Sequence, residues 1–571
     1  MPTLTQLVIR NFKLFEEVEL KLADRVIFIG PNNSGKTSAL QALALWSAGV
    51  RRWVEKRGAG SIPEKRAGVT ISRRDLIAVP VPSANLLWRD LHVREGYREA
   101  DKTKTRNLLI EIDVDGIGEG KPWETKLEFD YANEESFYCR SRLGAGGVRL
   151  EVPAAASEVR LAYLPPMSGL AANETRLDEG AIDVRIGEGR TAEVLRNLCW
   201  RALQRGGPQW EEIVAAMDAL FGVRLDEPVY VKERGEIVMS FRTPSGVTLD
   251  LSASGRGQEQ TLLLLAHMAA NPGAILLLDE PDAHLEILRQ RQIYRAITEA
   301  AEKTGSQIIA ASHSEVILNE AADRDAVIAF VGSPHRIDDR GAQLQKALRE
   351  VGFDQYYQAE EHGWVLYLEG STDLAILQTF ASILNHPAQK PLARPFVHYV
   401  GNQPRKAQEH FYALRYAKPD LVGLGLYDRL DGGAPQDPNL PHRAWARREL
   451  ENYLCDKDAL LAFACAKGAE QGELFGSAWR TKMSESIEEI EAALLALGKP
   501  SPWGPDIKAS DDFLDPLFKK FYEKLGLPNL TRKADYHAVA HHLAADKVAP
   551  EIRERLDELV EVAGRARPRR S

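Results

Sequence analysis

The chain has 571 residues, of which 44% are hydrophobic and 27% are charged, and its formal net charge is -9. This composition excludes a repeat protein or a disordered one and allows about two to four domains with apolar cores. The four widely spaced cysteines exclude a disulfide framework, and no apolar run approaches the ~20 residues that cross a bilayer. We therefore expect a cytoplasmic protein with no membrane partner. The acidic net charge neither supports nor excludes a DNA partner, because it can hide a local basic groove.

The first motif is a glycine-rich loop between a strand and a helix. A short apolar strand, VIFI, leads into GPNNSGKT at residues 30–37, and a run with helical periodicity follows. In this G-x-x-x-x-G-K-[ST] pattern the glycines let the backbone close around phosphate oxygens, the lysine reaches the terminal phosphates and the threonine hydroxyl binds Mg2+. The loop predicts a nucleotide site formed by Gly30, Asn33, Gly35, Lys36, Thr37 and Ser38.

Three further segments follow far downstream, in the order LSASGRGQEQ, ILLLDEPDAH and QIIAASHS. The apolar strand in the second segment ends in Asp279 and Glu280. Two carboxylates at this place suit one acid held near Mg2+ and another positioned to polarise water. The third segment is a predicted strand that ends at His313.

Together these motifs resemble the ABC-type ATPases, which carry the same elements in the same order. The resemblance implies ATP as a cofactor, with Asp279 as the Walker B acid and Glu280 as the general base. It also places Asp282 in the D-loop and makes His313 the switch histidine. The glutamine of the Q-loop has no clear match in the segment SRRDLIAVPVPSANLLWRD.

In that family the signature loop of one protomer closes over the nucleotide bound by the other. The matching residues are Ser254, Gly255 and Gly257, and a homodimer or higher homo-oligomer through the ATPase half is implied. The loop departs from the transporter form L-S-G-G-Q, because it contains the additional residues Ala253 and Arg256. It is similar to the S-G-x-G-x-x-Q form of soluble DNA-maintenance ATPases, so a transporter is disfavoured.

Residues from about 50 to 250 are expected to be insertions into the ATPase sheet. LLIEIDVDG and TKLEFDYA alternate like antiparallel strands, and GRTAEVLRNLCWRALQRGGPQWEEIVAAMDALFG predicts two helices with a glycine break. These helices could form a dimer contact or a buried hairpin within one subunit. No heptad pattern persists, which disfavours long coiled-coil arms.

A second α/β pattern begins with WVLYLEG and continues through FVHYVG and LVGLGLYD, with a helical segment between the last two. Strands that alternate with helices predict a second parallel sheet, whose ligands lie at the carboxyl ends of its strands. Glu369 and Asp428 fall at such ends, and Asp431 follows shortly after. A cluster of acids at one sheet edge predicts a site for one or two Mg2+ or Mn2+ ions.

The glutamate-glycine pair followed by later acids resembles the Toprim fold of topoisomerases, primases and certain nucleases. Glu369 matches its first motif, Asp373 matches an acid that nuclease members carry four residues on, and Asp428 matches the second motif. The spacing of Asp431 departs from that motif, and its role as a metal ligand stays open. The segment RELENYL resembles one in which a glutamate completes the metal site, and Glu451 fits that place better than Glu449.

One cation is also implied by this resemblance. LTRKADYHAVAHHL offers Lys533, whose charge could stabilise the phosphate in the transition state. An exposed helical lysine is the other interpretation of this residue, because lysine is common on solvated surfaces.

An ABC-type ATPase followed by a Toprim domain resembles the OLD family of nucleases, with a layout like the Gabija nucleases. The expected fold is therefore α/β: an ATPase domain at 1–335 with inserted strands and a helical dimerisation region at about 50–250, a connector at 336–361, and a Toprim nuclease domain at 362–571 with a helical C-terminal part.

The resemblance implies an ATP-regulated, metal-dependent endonuclease or nickase acting on double-stranded DNA, in prokaryotic defence against phage. A helicase-like or retron-encoded partner is implied for some members. The alternative is an ATP-dependent DNA-binding sensor or repair scaffold with a weak or inactive Toprim domain that recruits another enzyme. The unusual spacing of Asp431 favours this alternative.

Overall fold

The computed structural model describes most of the chain and divides it into two compact units, Met1–Gln345 and Lys346–Arg570. The expected connector at 336–361 lies in part outside the described residues. The described residues are 2–58, 68–99, 102–144, 148–167, 170–171, 173–322, 324–337, 351–472 and 475–569.

The first unit contains both strands and helices. Its strands are β1 (Thr3–Phe12), β2 (Phe15–Lys21), β3 (Arg25–Ile29), β4 (Val69–Ser72), β5 (Arg94–Glu99), β6 (Lys102–Asn107), β7 (Ile110–Gly118), β8 (Lys121–Asn133), β9 (Ser136–Ser141), β10 (Leu161–Leu164), β11 (Arg224–Leu225), β12 (Val229–Val231), β13 (Glu236–Val238), β14 (Ser240–Arg242), β15 (Thr248–Asp250), β16 (Ile275–Asp279), β17 (Ile308–Ser312), β18 (Ala326–Ala329) and β19 (His335–Arg336). Its helices are α1 (Lys36–Arg57), α2 (Ala154–Ser157), α3 (Glu179–Gly187), α4 (Leu195–Gln204), α5 (Gln209–Phe221), α6 (Arg256–Ala270), α7 (Ile287–Thr304) and α8 (Glu315–Ala321).

A mixed sheet with the order β10-β16-β17-β3-β18-β19 forms the centre of this unit. Its first five strands are parallel, and β19 is antiparallel to β18. Every residue of β16 and β17 is buried, as continuous apolar sequences predict for strands covered on both faces. The carboxyl ends of β3, β16 and β17 consequently meet at one edge of the sheet.

A second, antiparallel sheet has the order β2-β1-β7-β8-β9-β4. Helix α1 contacts strands of both sheets, and its apolar residues Leu40, Leu43 and Trp46 belong to a core shared with them. This packing holds the first turn of α1 at the edge where the parallel strands end.

The region expected as an insertion contributes to both sheets. LLIEIDVDG and TKLEFDYA form β7 and β8, which pair with each other and join β1. Strand β10 pairs with β16 in the parallel sheet, so this part of the region is a component of the central sheet. The predicted helix pair is present as α4 and α5, which contact each other and α6.

The second unit has a parallel four-stranded sheet with the order β21-β20-β22-β23, as the alternating pattern predicts. The strands are β20 (Trp364–Leu368), β21 (Val397–Tyr399), β22 (Val422–Tyr427) and β23 (His442–Ala444). The helices are α9 (Phe353–His362), α10 (Ser371–Ile383), α11 (Gln389–Ala393), α12 (Pro404–Ala417), α13 (Lys457–Glu470), α14 (Phe475–Ala496), α15 (Asp515–Lys524), α16 (His537–Ala540) and α17 (Pro550–Gly564).

Apolar residues of β20, β22 and the helices from α13 to α17 form one core in this unit. A short helical turn, Leu450–Leu454, belongs to the same core and contains the last five residues of the RELENYL segment. Within the described part of the chain, no helix is both long and apolar enough to cross a membrane.

Candidate functional site

The glycine-rich loop holds Lys36 at the first turn of α1. The Lys36 ammonium group donates hydrogen bonds to the carbonyl oxygens of Gly30 and Pro31, each at 2.7 Å. Burial lowers the pKa of this lysine, and three nearby carboxylates oppose the shift. The two hydrogen bonds hold the ammonium group of Lys36 inside the loop. Phosphate oxygens, which are anionic, can replace the two neutral carbonyl oxygens as its partners.

Gly35 is required by the backbone of this loop. Its φ is +100°, and a Cβ at this position would lie 2.8 Å from the ring of Phe15. A side chain would both strain the backbone and collide with the ring, so the sharp turn into α1 depends on glycine. Asn33 is exposed in the same loop with φ +63, and Ser38 is half-buried on the first turn of α1.

Thr37 and Asp279 lie together although they are far apart in the sequence. The Thr37 hydroxyl donates to Asp279 Oδ1 at 3.1 Å, and the Tyr163 hydroxyl donates to Asp279 Oδ2 at 3.3 Å. Burial raises the pKa of Asp279 to about 6, and the hydrogen bond from Thr37 opposes the shift. The pair has the donor chemistry of a Mg2+ site beside the phosphate loop.

Sequence reasoning missed Tyr163. Its strand, LAYL, is short and lies in the region expected to be an insertion. Only the pairing of β10 with β16 brings the phenol to the carboxylate of Asp279.

Glu280 and His313 face each other at the ends of β16 and β17. His313 Nδ1 lies 3.7 Å from Glu280 Oε1, and both side chains are partly exposed. Glu280 has φ +49, an uncommon backbone conformation for a residue with a side chain, and its N–H donates to Ala311 O at 2.9 Å. The partly exposed carboxylate is open to a water molecule from solvent. Asp282 follows in the buried turn, and burial raises its pKa.

The signature residues Ser254, Gly255 and Gly257 lie at the beginning of α6. Ser254 Oγ donates to Leu251 O at 2.6 Å, and Gly255 is exposed with open space where a Cβ would be. The loop thus presents its backbone to solvent at a helix N-terminus, which suits an anion.

Arg196 supports this loop from α4, and sequence reasoning did not identify it. Its buried guanidinium donates to Ala171 O at 3.0 Å and to Asp250 Oδ1 at 3.2 Å. Asp250 in turn accepts a hydrogen bond from Ser252 N at 2.8 Å, which caps the turn that leads to Ser254.

The second unit brings four carboxyl groups together at the carboxyl edge of its sheet. Glu369 follows β20 and Asp428 follows β22, and these strands are adjacent. The side chains of Glu369 and Asp428 are hydrogen-bonded to each other, and burial together with this contact raises the pKa of Asp428 to about 9. The charges of Glu451 and Asp373 act on Asp428 in the same direction.

Asp373 occupies the first turn of α10. Its Oδ2 accepts hydrogen bonds from the N–H groups of Glu369 at 3.0 Å and Gly370 at 3.3 Å. Burial raises the pKa of Asp373 to about 7, and the charge of Glu451 adds to the shift. Asp373 therefore fixes the backbone that carries Glu369 and adds to the negative charge of the site.

Glu451 is buried on the turn Leu450–Leu454, and it lies 3.4 Å from Lys533 Nζ through Oε1. The adjacent Leu450 N–H donates to Asp428 Oδ1 at 3.2 Å, so this turn is attached to the sheet edge. Lys533 is partly exposed, which leaves its ammonium group accessible from solvent. Glu449, the weaker candidate in the motif, instead accepts a hydrogen bond from Ser510 N.

Asp431 is placed differently from the other acids. It is exposed in the turn after β22, and the charges that act on Asp428 are those of Glu369, Glu451 and Asp373. Among the predicted ligands of the second unit, Asp431 thus has the exposed position, whereas the four others influence one another's charge.

Carboxylates are the donors that a hard divalent cation takes, and burial, followed by the charges of the neighbouring acids, raises the pKa of Asp428 and of Asp373. Their present arrangement is not a ligand shell: no group of three or more His, Cys, Asp or Glu side chains among the residues described is arranged to hold a metal ion. Each of the four acids has a protein partner. Asp428 is bonded to Glu369, Asp373 to backbone N–H groups, and Glu451 to Lys533.

Comparisons with known proteins agree with the geometry of the first unit. Residues 161–319 match the family described as "AAA domain, putative AbiEii toxin, Type IV TA system", and residues 3–50 match the family described as "AAA ATPase domain". No curated protein matches the chain.

Three solved structures align with part of the chain at low similarity. The SMC head domain from Thermotoga maritima is 15% identical, with a TM-score of 0.31 over 58% of this chain and 98% of its own. An SmcHead bound to the C-winged helix domain of ScpA is 16% identical, with a TM-score of 0.34 over 58% of this chain and 97% of its own. An Smc head domain with an extended coiled coil, bound to the C-terminal domain of ScpA derived from Pyrococcus furiosus, is 14% identical, with a TM-score of 0.36 over 62% of this chain and 100% of its own.

The match over residues 3–50 contains the phosphate loop, and the match over residues 161–319 contains the segment from Asp279 to His313. The chain therefore contains an ATP-binding ATPase domain of the AAA/ABC type, formed by residues on both sides of the region at about 50–160.

Proposed function

We propose that the protein is an ATP-regulated, divalent-metal-dependent DNA endonuclease or nickase of the OLD type, whose second unit is a Toprim domain. The observation that carries this proposal is the convergence of Glu369, Asp373, Asp428 and Glu451 with Lys533 at the carboxyl edge of a parallel sheet. Lys533 forms an ion pair with one of these four acids, Glu451.

The proposed chemistry is hydrolysis of a phosphodiester. Glu369, Asp428 and Glu451 would hold one or two Mg2+ or Mn2+ ions, with Asp373 assisting. A bound divalent cation supplies Lewis-acid stabilisation to the attacking and leaving oxygens. Lys533 binds a non-bridging phosphate oxygen and stabilises the charge that develops there. Asp373 keeps the Glu369 backbone in place through its two hydrogen bonds.

The ATPase unit would regulate this activity. ATP bound at Lys36 and Thr37 would be contacted by the Ser254 loop of a second copy, because that loop exposes its backbone N–H groups at a helix N-terminus. Closing of two copies would change how the protein holds double-stranded DNA or a helicase-like or retron-encoded partner. A role in defence against phage is tested by plaque counts in cells expressing the protein with intact or substituted Glu369.

The decisive experiment is nicking of supercoiled plasmid by the purified full-length protein with Mg2+ or Mn2+, with and without ATP. We expect Glu369→Ala and Asp428→Ala to abolish nicking while the melting temperature shows a folded protein. Glu409→Ala, which removes an exposed acid on α12, is the matched control. Retention of nicking in both site variants would exclude the proposed site.

A second candidate function is an ATP-dependent DNA-binding sensor or repair scaffold whose second unit recruits another enzyme. It is favoured by the partnered state of the four acids and by the exposed position of Asp431. This candidate predicts ATP-dependent DNA binding with no nicking by the wild-type protein under either metal. The same plasmid assay therefore separates the two functions.

A further inference from the structure

Strands β5 and β6 form a two-stranded antiparallel ribbon in the first unit that is separate from the larger sheets. The described side chains from Arg94 to Arg98 and from Lys104 to Asn107 are all exposed. An isolated pair of strands with no buried apolar face gains little stability from its own packing. A ribbon of this kind is therefore better explained by what it contacts than by a contribution to the core.

The register sorts the ribbon residues onto two faces. Arg94 pairs with Asn107 and Gly96 with Thr105, so Arg98 shares a face with these four residues. Among the described side chains of β5 and β6, this face carries two arginines and no carboxylate. We refer to it as the arginine face.

The opposite face carries charges of both signs, with one acid and two bases among its described side chains. Glu95 lies opposite Arg106 and forms an ion pair with it at 2.6 Å, and Tyr97 lies opposite Lys104. The asymmetry between the faces is notable because the chain as a whole has a net charge of -9. At the base of the arginine face, Asp130 accepts a hydrogen bond from Asn107 at 2.7 Å and is paired with Arg140.

The base of the ribbon is firmly attached to the ATPase unit. Leu108 N donates to Val93 O at 3.0 Å, and Trp88 Nε1 donates to Leu108 O at 2.7 Å. Trp88 is buried and forms a bridge to Phe12 of β1. These bonds anchor the ribbon at its base. The anchoring reduces the conformational entropy that the exposed residues lose when they contact a ligand.

We propose that the arginine face of this ribbon binds a groove of a DNA duplex, with Arg94 and Arg98 on the phosphates. A six-residue strand is about 20 Å long, and a two-stranded ribbon fits a major groove about 12 Å wide. Arginine suits this ligand because its planar guanidinium pairs with phosphate oxygens through two hydrogen bonds. The choice of DNA as the polyanion rests on the proposed function, and the contact is independent of the carboxylate site.

The test measures binding of a short fluorescent duplex to the full-length protein by anisotropy, without divalent ions so that no cleavage occurs. The test variant is Arg94→Ser with Arg98→Ser, and the matched control, Lys104→Ser with Arg106→Ser, removes the same charge from the other face. We expect the test variant to bind about tenfold more weakly at low salt and the control to stay within about twofold of wild type. The slope of log Kd against log salt should fall by about 1.8 for two lost phosphate contacts.

Unchanged binding by the test variant, or an equal loss in both variants, would overturn the inference, as would absence of duplex binding by the wild-type protein. Melting temperature and ATP binding show whether each variant is folded. If plasmid nicking is absent but duplex binding depends on Arg94 and Arg98, the proposed nuclease function fails and the ribbon contact stands. If nicking occurs but duplex binding does not depend on Arg94 and Arg98, the ribbon contact fails and the proposed nuclease function stands.

Discussion

The carboxyl groups of Glu369 and Asp428 are hydrogen-bonded to each other at the carboxyl ends of two adjacent parallel strands. Two ionised carboxylates cannot share a hydrogen bond, so one of the pair holds a proton. The pKa of Asp428 is raised to about 9, first by burial and then by this contact. The protein therefore keeps a repulsive pair in its second unit, which a proton or a cation can relieve.

Asp428→Asn should stabilise the protein while it abolishes nicking. An amide retains the shape of the protonated carboxyl group and binds no proton on folding, whereas Asp428 is ionised in the unfolded chain and must take up a proton when it is buried. A gain of about 1 kcal/mol would raise the melting temperature by about 2–4 °C for a unit of this size. Differential scanning calorimetry and the plasmid assay measure the two effects.

The matched control is Asp437→Asn in the same unit. Asp437 accepts hydrogen bonds from Asn439 N, Leu440 N and the Tyr412 hydroxyl, and although burial opposes them, they lower its pKa. The same chemical change should therefore lower the melting temperature. A decrease for Asp428→Asn would contradict the repulsion inferred here.

Lys533→Met should reduce nicking and leave ATP hydrolysis unchanged. The lysine lies 3.4 Å from Glu451 and is the cation of the carboxylate site, so its loss removes the charge proposed to stabilise the phosphate. A reduction of about 100- to 1,000-fold in kcat is typical when such a group is removed. The matched control is Lys519→Met, which removes an exposed lysine paired with Asp515. Equal nicking rates in the two variants would assign Lys533 a structural role.

Lys36→Ala should weaken ATP binding by about 100-fold, because a charge-assisted hydrogen bond to phosphate contributes about 2–3 kcal/mol. Lys56→Ala is the control: this exposed lysine lies near the other end of the same helix. Isothermal titration with ATP measures both. Near wild-type affinity in Lys36→Ala would show that the loop does not hold the phosphates.

The acid sensitivity of the first unit should depend on His267, a buried residue of α6. Burial lowers its pKa from 6.5 to about 4, so the unfolded chain binds a proton that the folded protein does not. Stability is then complete above pH 6.5 and is lost as the pH falls from 6.5 toward 4. At pH 5 the loss is about 2 kcal/mol.

His267→Leu should remove this loss of unfolding free energy at acid pH. His92→Leu, at an exposed histidine, should retain it. Urea unfolding at about pH 5 and pH 7 gives the difference in unfolding free energy for each protein. The same pH dependence in His267→Leu and wild type would place the acid sensitivity elsewhere.

Local sequence patterns predicted the parts of both sites that lie within one segment. The spacing of Gly30, Gly35 and Lys36 after a short apolar strand predicted the phosphate loop, since phosphate binding needs those residue types in a single turn. In the same way, apolar runs that end in Asp279, Glu369 and Asp428 predicted acids at sheet edges, because the carboxyl ends of parallel strands meet there.

The sequence by itself thus determined the candidate residues of each site and the strand ends at which Asp279, Glu369 and Asp428 lie. The tertiary structure decided which of them meet. Strand β10 lies beside β16, which brings Tyr163 to Asp279, and β20 lies between β21 and β22, which places Glu369 against Asp428. The position of Lys533 beside Glu451 and the separation of the β5–β6 ribbon were decided in the same way. Strand order and contacts between distant segments depend on packing across the whole unit, and local periodicity carries no information about them.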